Sequence, residues 1–408
     1  RRSKRILIFK CMNCKTKGKS MANNLYYGRG RDEDNKKLIA FLDEVFFTDD
    51  PEERDFLNLL PKCYKDQYRP AYNNFVVQDE NGEFRSAIGS FYNDMTIGDE
   101  QIKACCIGNV AVGKNYRSMG YMIELMELSV EDMGKNGVDV AYLGGQRQRY
   151  GYFGFESSGT SYRFNFSRSA YRHALKAMPC GLDIEKLSPN DAESIANIEK
   201  IYSKLPIRSN RKPESCFDVL CSWRDRPYIL KDNGDFVGYF VLDYTKNNVN
   251  EFGTVDPKYY PNLVAAVMEK TEALQVGFIV APFETEKLKF FTENADGFNI
   301  DGCEMILVYN FEKVIRAYLS AKARYAKLCD GAFTVLIHGK YGDEKLRIEV
   351  VDNKVKVEKF DGKADYELSH HAATRVFFSN LPADREAFPA NIQQWLPLHV
   401  FLFPSDTM

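Results

Sequence analysis

The chain has 408 residues, of which 44% are hydrophobic and 27% charged, and its formal net charge is −2. That length accommodates two or three domains with ordinary globular cores. The near-neutral charge leaves no footprint for nucleic acid or an anionic membrane, and no apolar run approaches the roughly 20 residues needed to span a bilayer.

Residues 1–20, RRSKRILIFKCMNCKTKGKS, are basic and unlike the rest. Their apolar run at 6–9 is too short for a secretory-signal core, and Met21 reads as a normal start, so a disordered or upstream-derived extension is expected. Cys11 and Cys14 form a lone CxxC without a second pair at zinc-site spacing, so no metal is expected. The other eight cysteines are scattered and read as reduced thiols of a cytoplasmic protein.

Residues 32–47 carry Leu38, Ile39, Leu42, Val45 and Phe46 on one helical face, with Asp34 as N-cap. Asp50-Pro51-Glu52-Glu53 opens a second helix whose apolar face is Phe56, Leu57, Leu59 and Leu60. Phe75-Val76-Val77, a turn at 79–83, a strand at 84–94 and a neighbour at 102–112 make an antiparallel meander. Asp43 and Glu44 on the first helix are candidate acceptor-pocket residues.

The segment 105–156 organises the chain. The apolar run 107–112 suits a buried strand, Tyr116-Arg117-Ser118-Met119-Gly120 follows, and 121–133 has helical periodicity through Met122, Leu125, Met126 and Leu128. A turn opening a helix leaves backbone N–H groups unpaired at the positive end of the helix dipole, which makes an anion site. Arg117 stands at its mouth, and Gly120 permits close approach of a phosphate. Taken alone, the same residues read equally as a solvated arginine and a packing glycine. A second buried strand at 138–143 follows, and then Tyr150-Gly151-Tyr152-Phe153-Gly154-Phe155-Glu156.

This block resembles the acetyl-CoA-binding core of the GNAT acetyltransferase superfamily, whose pattern Arg/Gln-x-x-Gly-x-Gly/Ala is matched by Arg117 and Gly120, with Met122 replacing the final small residue. It is similar in particular to the enhanced intracellular survival (Eis) family. The resemblance implies acetyl-CoA as co-substrate, with Val110, Ala111 and Val112 hydrogen-bonding its pantetheine arm and Arg117, Ser118, Met119, Gly120 and Tyr121 holding its pyrophosphate.

The pattern restarts at 182, with a helix to about 202 and strands at 223–230 and 236–243 around Asp232-Asn233-Gly234-Asp235. Residues 250–257 and a helix at 263–274 parallel the strand and helix of the first unit. Lys258-Tyr259-Tyr260-Pro261 has no Arg-x-x-Gly, and Pro261 has no N–H to offer, so this unit is expected not to bind the cofactor. Then come a helix at 311–325, strands at 332–340, 345–351 and 354–358, and a helix at 367–379. The expected fold class is mixed α+β and α/β: tandem GNAT folds, the second degenerate, and a sterol-carrier-protein-like tail. The expected boundaries are 21–166, 167–308 and 309–408, with 162–166 closing the first unit.

Aminolysis of a thioester needs a proton acceptor for the amine and a donor for the thiolate. No carboxylate lies between 102 and 113, all five histidines lie outside the first unit, and His370-His371 reads as a surface helix feature. The Eis resemblance implies that the C-terminal α-carboxylate acts as base and the tyrosine of the Tyr-Gly-x-Phe-Gly block as acid, which map to Met408 and Tyr150. A free carboxylate, with a pKa of roughly 3.3–3.7, is ionised at neutral pH. Tyr152 is the rival acid, and Glu156 and Asp406 are either pocket-lining or solvated. The acceptor implied is a primary amine, on an aminoglycoside, polyamine or lysine side chain, and Asn109, where the family often has an aromatic residue, bears on the first of these. Assembly as a homohexamer is implied by resemblance only. The competing reading is a non-catalytic acyl-CoA or lipid-binding protein.

Overall fold

The computed structural model describes residues 25–47, 49, 55–381 and 384–408. The basic segment 1–20 with its CxxC pair, Met21, and the expected helix start at Asp50-Pro51-Glu52-Glu53 lie outside these residues.

The first half contributes strands β1 (Tyr26–Arg29), β2 (Asn74–Gln78), β3 (Phe84–Tyr92), β4 (Met95–Ile97), β5 (Glu100–Ile102), β6 (Ala104–Val112), β7 (Val140–Leu143), β8 (Glu156–Ser157) and β9 (Ser161–Ser167). Its helices are α1 (Asn35–Phe46), α2 (Phe56–Leu59), α3 (Pro61–Tyr64), α4 (Tyr121–Lys135) and α5 (Arg147–Tyr150). The middle of the chain adds β10 (Asp183–Lys186), β11 (Ile207–Ser209), β12 (Arg226–Asp232), β13 (Asp235–Leu242), β14 (Asn248–Thr254), β15 (Gln275–Val280), β16 (Gly297–Asp301) and β17 (Met305–Val308).

Two seven-stranded sheets follow one plan. The first runs β1-β2-β3-β6-β7-β17-β8 and the second β10-β12-β13-β14-β15-β9-β16. In each, every step is antiparallel except the fourth, β6–β7 and β14–β15, which is parallel. The sheets exchange one strand. β9 lies in the second sheet between β15 and β16, and β17 lies in the first between β7 and β8. The expectation that 162–166 closes the first unit is therefore corrected, since the strand belongs to the second sheet. Alternation along β9 marks a half-buried strand but not which core it faces. Phe164 and Phe166 pack against Phe291 in the second core.

The C-terminal part contains a helix at Phe311–Lys322 and a sheet ordered β20-β19-β18-β21, formed by β18 (Gly331–Gly339), β19 (Gly342–Val351), β20 (Lys354–Lys359) and β21 (Tyr366–Ser369). Residues 367–369 were expected to begin a helix; with Tyr366 they pair parallel to β18 instead. The helix starts at His370, where the Ser369 hydroxyl accepts the N–H of Ala372 as an N-cap. The tail then crosses between the units with Trp395, Leu398, Val400, Phe401, Leu402 and Phe403 all buried. These residues belong to one apolar core that joins the first sheet to the C-terminal sheet. A three-stranded sheet, β11-β4-β5, ties the first half to the second. Among the described residues, no helix is long and apolar enough to cross a membrane.

Candidate active site

The site begins with a parting of two strands. β6 and β7 pair from Ala104↔Val140 to Ile107↔Leu143 and no further. Beyond that point β6 stays paired only with β3, through Ala87↔Ala111 and Ser86↔Val112. Val110, Ala111 and Val112 therefore turn one edge of their backbone toward the gap, free of a ladder partner. A bulge marks the parting: the β3–β6 register shifts between Ala87 and Gly89, and Asn109 has φ +35°. The Asn109 side chain is held on both ends, accepting from Tyr64 Oη at 2.5 Å and donating to Asn74 Oδ1 at 2.7 Å.

The chain next makes an exposed turn through Arg117, Ser118 and Met119 and enters α4 at Gly120. Ser118 has φ +67° and Gly120 φ +90°, so this entry uses the left-handed region, which glycine alone adopts at little cost. No side chain caps α4. Arg117 is exposed at this helix start, with Tyr121 buried and Met122 half-buried. Such a helix start, next to an unpaired strand edge, is suited to receive an anion.

Tyr150 lies on the α4 face of the sheet, buried with Ile107, Leu125, Leu143 and Met305. Burial raises its phenol above the usual tyrosine value, with Arg149 opposing. Tyr152, its rival, is 76% exposed and packs edge-on against Phe153.

Met408 lies on the opposite face. A Cβ built at Gly108 would stand 3.2 Å from the Met408 Cβ and 3.7 Å from its carboxyl carbon. Gly108 is the first residue of β6 beyond the parting. The tail is fixed by polar contacts from two other units. Lys62 Nζ donates to the carbonyls of Ser405 and Thr407, both at 2.6 Å. Asp406 is buried, accepts from Tyr202 Oη at 2.9 Å and pairs with Arg211, which also pairs with buried Glu251. The Arg211 guanidinium stacks on the Tyr202 ring at 3.7 Å. A cleft of about 1330 Å³ opens beside this tail, lined by Tyr68, Phe91, Asn210, Arg211, Asp406 and Met408 among others.

The structure thus brings the strand edge, the turn and Tyr150 to one side of the parting and Met408 to the other. Glu156 is neither pocket-lining nor solvated. It is fully buried, and although burial opposes its charge, contacts from Arg147, the Ser157 N–H and Arg375 hold it down to about 2. Asp43 accepts the N–H of Phe56 at 2.7 Å, a structural task. The surface reading of His370-His371 is corrected: His370 is buried against Phe311, and His371 contacts the Gly151 carbonyl at 3.0 Å. Sequence reasoning missed Lys62, Tyr64, Asn74, Arg211 and Glu251, because each acts on a residue far away in the chain.

Residues 27–158 match the family model described as acetyltransferase (GNAT) domain. No curated protein sequence matches the chain. Among solved structures, a GCN5-related N-acetyltransferase from Anabaena variabilis aligns with a TM-score of 0.65 at 13% identity, covering 93% of this chain and 98% of that one. A probable N-acyltransferase from Enterococcus faecalis aligns at 0.64 and 15% identity, covering 93% and 97%. Eis1 from Mycobacterium abscessus aligns at 0.59 and 13% identity, covering 94% and 100%. At these identities the likeness establishes the fold.

Proposed function

We propose that this GNAT-type N-acyltransferase moves the acetyl group of acetyl-CoA onto a primary amine, on an aminoglycoside, polyamine or lysine side chain, by direct attack on the thioester. One observation carries the reading. The strands part at Ile107↔Leu143, with the uncapped turn and Tyr150 on one face and the carboxyl end of Met408 against Gly108 on the other.

The free edge of Val110, Ala111 and Val112 suits the amide groups of a pantetheine arm. Arg117 and the backbone of Ser118, Met119, Gly120 and Tyr121 suit its pyrophosphate. The thioester, when bound in the gap, supplies an activated acyl carbon. Met408, through its α-carboxylate in a chain that terminates there, takes a proton from the incoming ammonium. Tyr150, kept protonated by its burial, donates to the departing thiolate.

The wider reading is an Eis-like enzyme of three units, 21–166, 167–308 and 309–408 apart from the exchanged β9 and β17, in which the second is a degenerate GNAT fold and the third sterol-carrier-like. The shared pairing plan of the two large sheets supports the tandem. The second unit lacks the glycine turn, entering its helix through Pro257–Tyr259 and then Pro261. The eight cysteines among the described residues are all free, which suits a cytoplasmic setting. Homohexameric assembly is part of this reading, and a monomeric mass by light scattering would remove it.

The deciding experiment measures CoA release from acetyl-CoA with a panel of amines, for the intact chain and for one lacking Ser405, Asp406, Thr407 and Met408. Release that needs an amine and collapses on truncation is the expected result. Release that is indifferent to truncation sinks the carboxylate base, and no release with any amine sinks the acetyltransferase reading.

A further inference from the structure

A primary ammonium must shed two protons to become a secondary amide, and the reading above supplies an acceptor for one. The structure holds a second carboxylate beside the same gap. Glu304 immediately precedes β17, whose first residue, Met305, pairs with Leu143 at the end of β7. Its main-chain carbonyl is fixed by the N–H of Ser158 at 3.2 Å and the Ser158 hydroxyl at 2.7 Å.

The side chain lies over the backbone at the end of β7. A Cβ built at Gly144 would stand 2.8 Å from Glu304 Oε2. Gly144 is the first residue after β7 and so the first beyond the parting, as Gly108 is on β6, where Met408 rests. Residues next to one another across a sheet direct side chains to one face. Gly108, Gly144 and Glu304 have the face parity of Cys106, Tyr142 and Ile306, which pack in the core that Met408 also touches. Glu304 and Met408 therefore share one face of the gap, opposite Tyr150.

Oε2 of Glu304 is shielded from solvent and accepts no hydrogen bond. Folding does not reward a buried carboxylate oxygen left without a donor, so its retention points to work outside the resting structure. Lys62 on α3 acts on it, and its own charge acts on the thiols of Cys106 on β6 and neighbouring Cys303. Burial raises both thiols and keeps them neutral. Burial also pushes the Glu304 carboxyl up to about 7, with Lys62 opposing. A base in that range is matched to neutral operation.

We propose that Glu304 is the second proton acceptor of the transfer site, taking the proton from the acceptor nitrogen as its bond to the acetyl carbon forms. This inference rests on the acetyl-transfer reading. Met408 removes the first proton from the ammonium, and the nitrogen lone pair then forms the N–C bond. Glu304 takes the second proton, leaving its electron pair on nitrogen. The C–S bond breaks, and Tyr150 protonates the thiolate. Solvent then takes the protons from Met408 and Glu304 and restores the one on Tyr150, for a net release of one proton per turnover.

The test compares the intact chain, Glu304→Gln, Glu304→Asp and the chain lacking Met408. In Glu304→Gln, kcat is expected to fall about 100-fold and the acidic limb of its pH profile near 7 to disappear. Acetyl-CoA affinity by calorimetry is expected to stay within twofold. Glu304→Asp restores part of the rate and keeps a limb. Difference infrared spectra of the free protein are expected to show a protonated carboxyl band that fades as pH rises through about 7 and is missing from Glu304→Gln. A Glu304→Gln kcat within threefold of the parent, a retained limb, or no such band overturns the proposal. Loss of rate in Glu304→Gln with full rate in the chain lacking Met408 instead removes Met408 as base and leaves Glu304 standing.

Discussion

Arg211 grips Asp406 through two parallel hydrogen bonds, Nε to Oδ1 and a terminal nitrogen to Oδ2, both 2.9 Å long. Both side chains are 3% exposed, so water screens the pair little. Removing one partner leaves the other charged and buried, and Arg211 then keeps only Glu251. Asp406→Ala is expected to cost about 3 kcal/mol in denaturant unfolding. It is also expected to lower kcat more than acetyl-CoA affinity, because it frees the segment that sets Met408 over Gly108. Equal stability in parent and variant would show that the tail is not anchored this way.

Arg117 sits exposed in the turn that opens α4. A charge-assisted contact to phosphate contributes about 2 kcal/mol. Arg117→Ala is expected to raise the acetyl-CoA KM roughly 30-fold with kcat within twofold. Gly120→Ala tests the same turn through its backbone, since φ +90° is strained for any residue with a Cβ. Initial-rate kinetics at varied acetyl-CoA separate the two constants, and a kcat effect from Arg117→Ala would move that residue toward the chemistry.

Tyr150 and Tyr152 are two residues apart and differ in every relevant respect. Tyr150→Phe is expected to lower kcat about 100-fold, as expected for loss of a positioned proton donor, while Tyr152→Phe leaves it unchanged. A donor works only while protonated, and burial raises the Tyr150 phenol. The alkaline limb of kcat is thus expected above the usual tyrosine value of about 10, where the protein tolerates it. A limb well below that value would assign the acid elsewhere.

Two histidines make the fold sensitive to acid. Burial, with the charges of Lys322 and Arg385, lowers His399 to about 3. Burial, with His371 and Lys340, lowers His370 to about 4. Folding keeps both neutral, whereas the unfolded chain takes up protons below about 6.5. Their contribution is complete above that pH and is lost as pH falls from about 6.5 toward 4. For His370 the loss at pH 4.5 is about 2 kcal/mol. His370→Phe, which keeps a ring against Phe311, is expected to flatten the fall in denaturation midpoint between pH 7 and 4.5. An unchanged slope would exclude His370 as a source.

The strand, turn and helix at 107–135 were legible in the sequence because they are local. The apolar run before Gly113, the turn at Arg117–Gly120 and the periodicity of α4 are neighbours in the chain, and each has a short-range physical cause. The Met408 side of the gap was not legible. The hairpin of β4 and β5 reads as part of a longer meander, since nothing in Met95–Ile97 announces that its partner is Ile207–Ser209. Glu156 looked available because its second arginine, Arg375, is 219 residues distant. Glu304 sits in no motif, and only the exchange of β17 into the first sheet sets it beside Gly144.

That exchange also governs how the protein can be made. Until Met305–Val308 emerge from the ribosome, β7 has no partner on its outer side, and the sheet carrying the gap between β6 and β7 ends in an open, adhesive edge. A fragment stopping near residue 166 would lack that strand, and would leave β9 without β15 and β16. Neither half is a separable module. The gap that would grip the thioester is completed only after the chain has finished its second sheet, so an isolated first half has no complete sheet on which to build a catalyst.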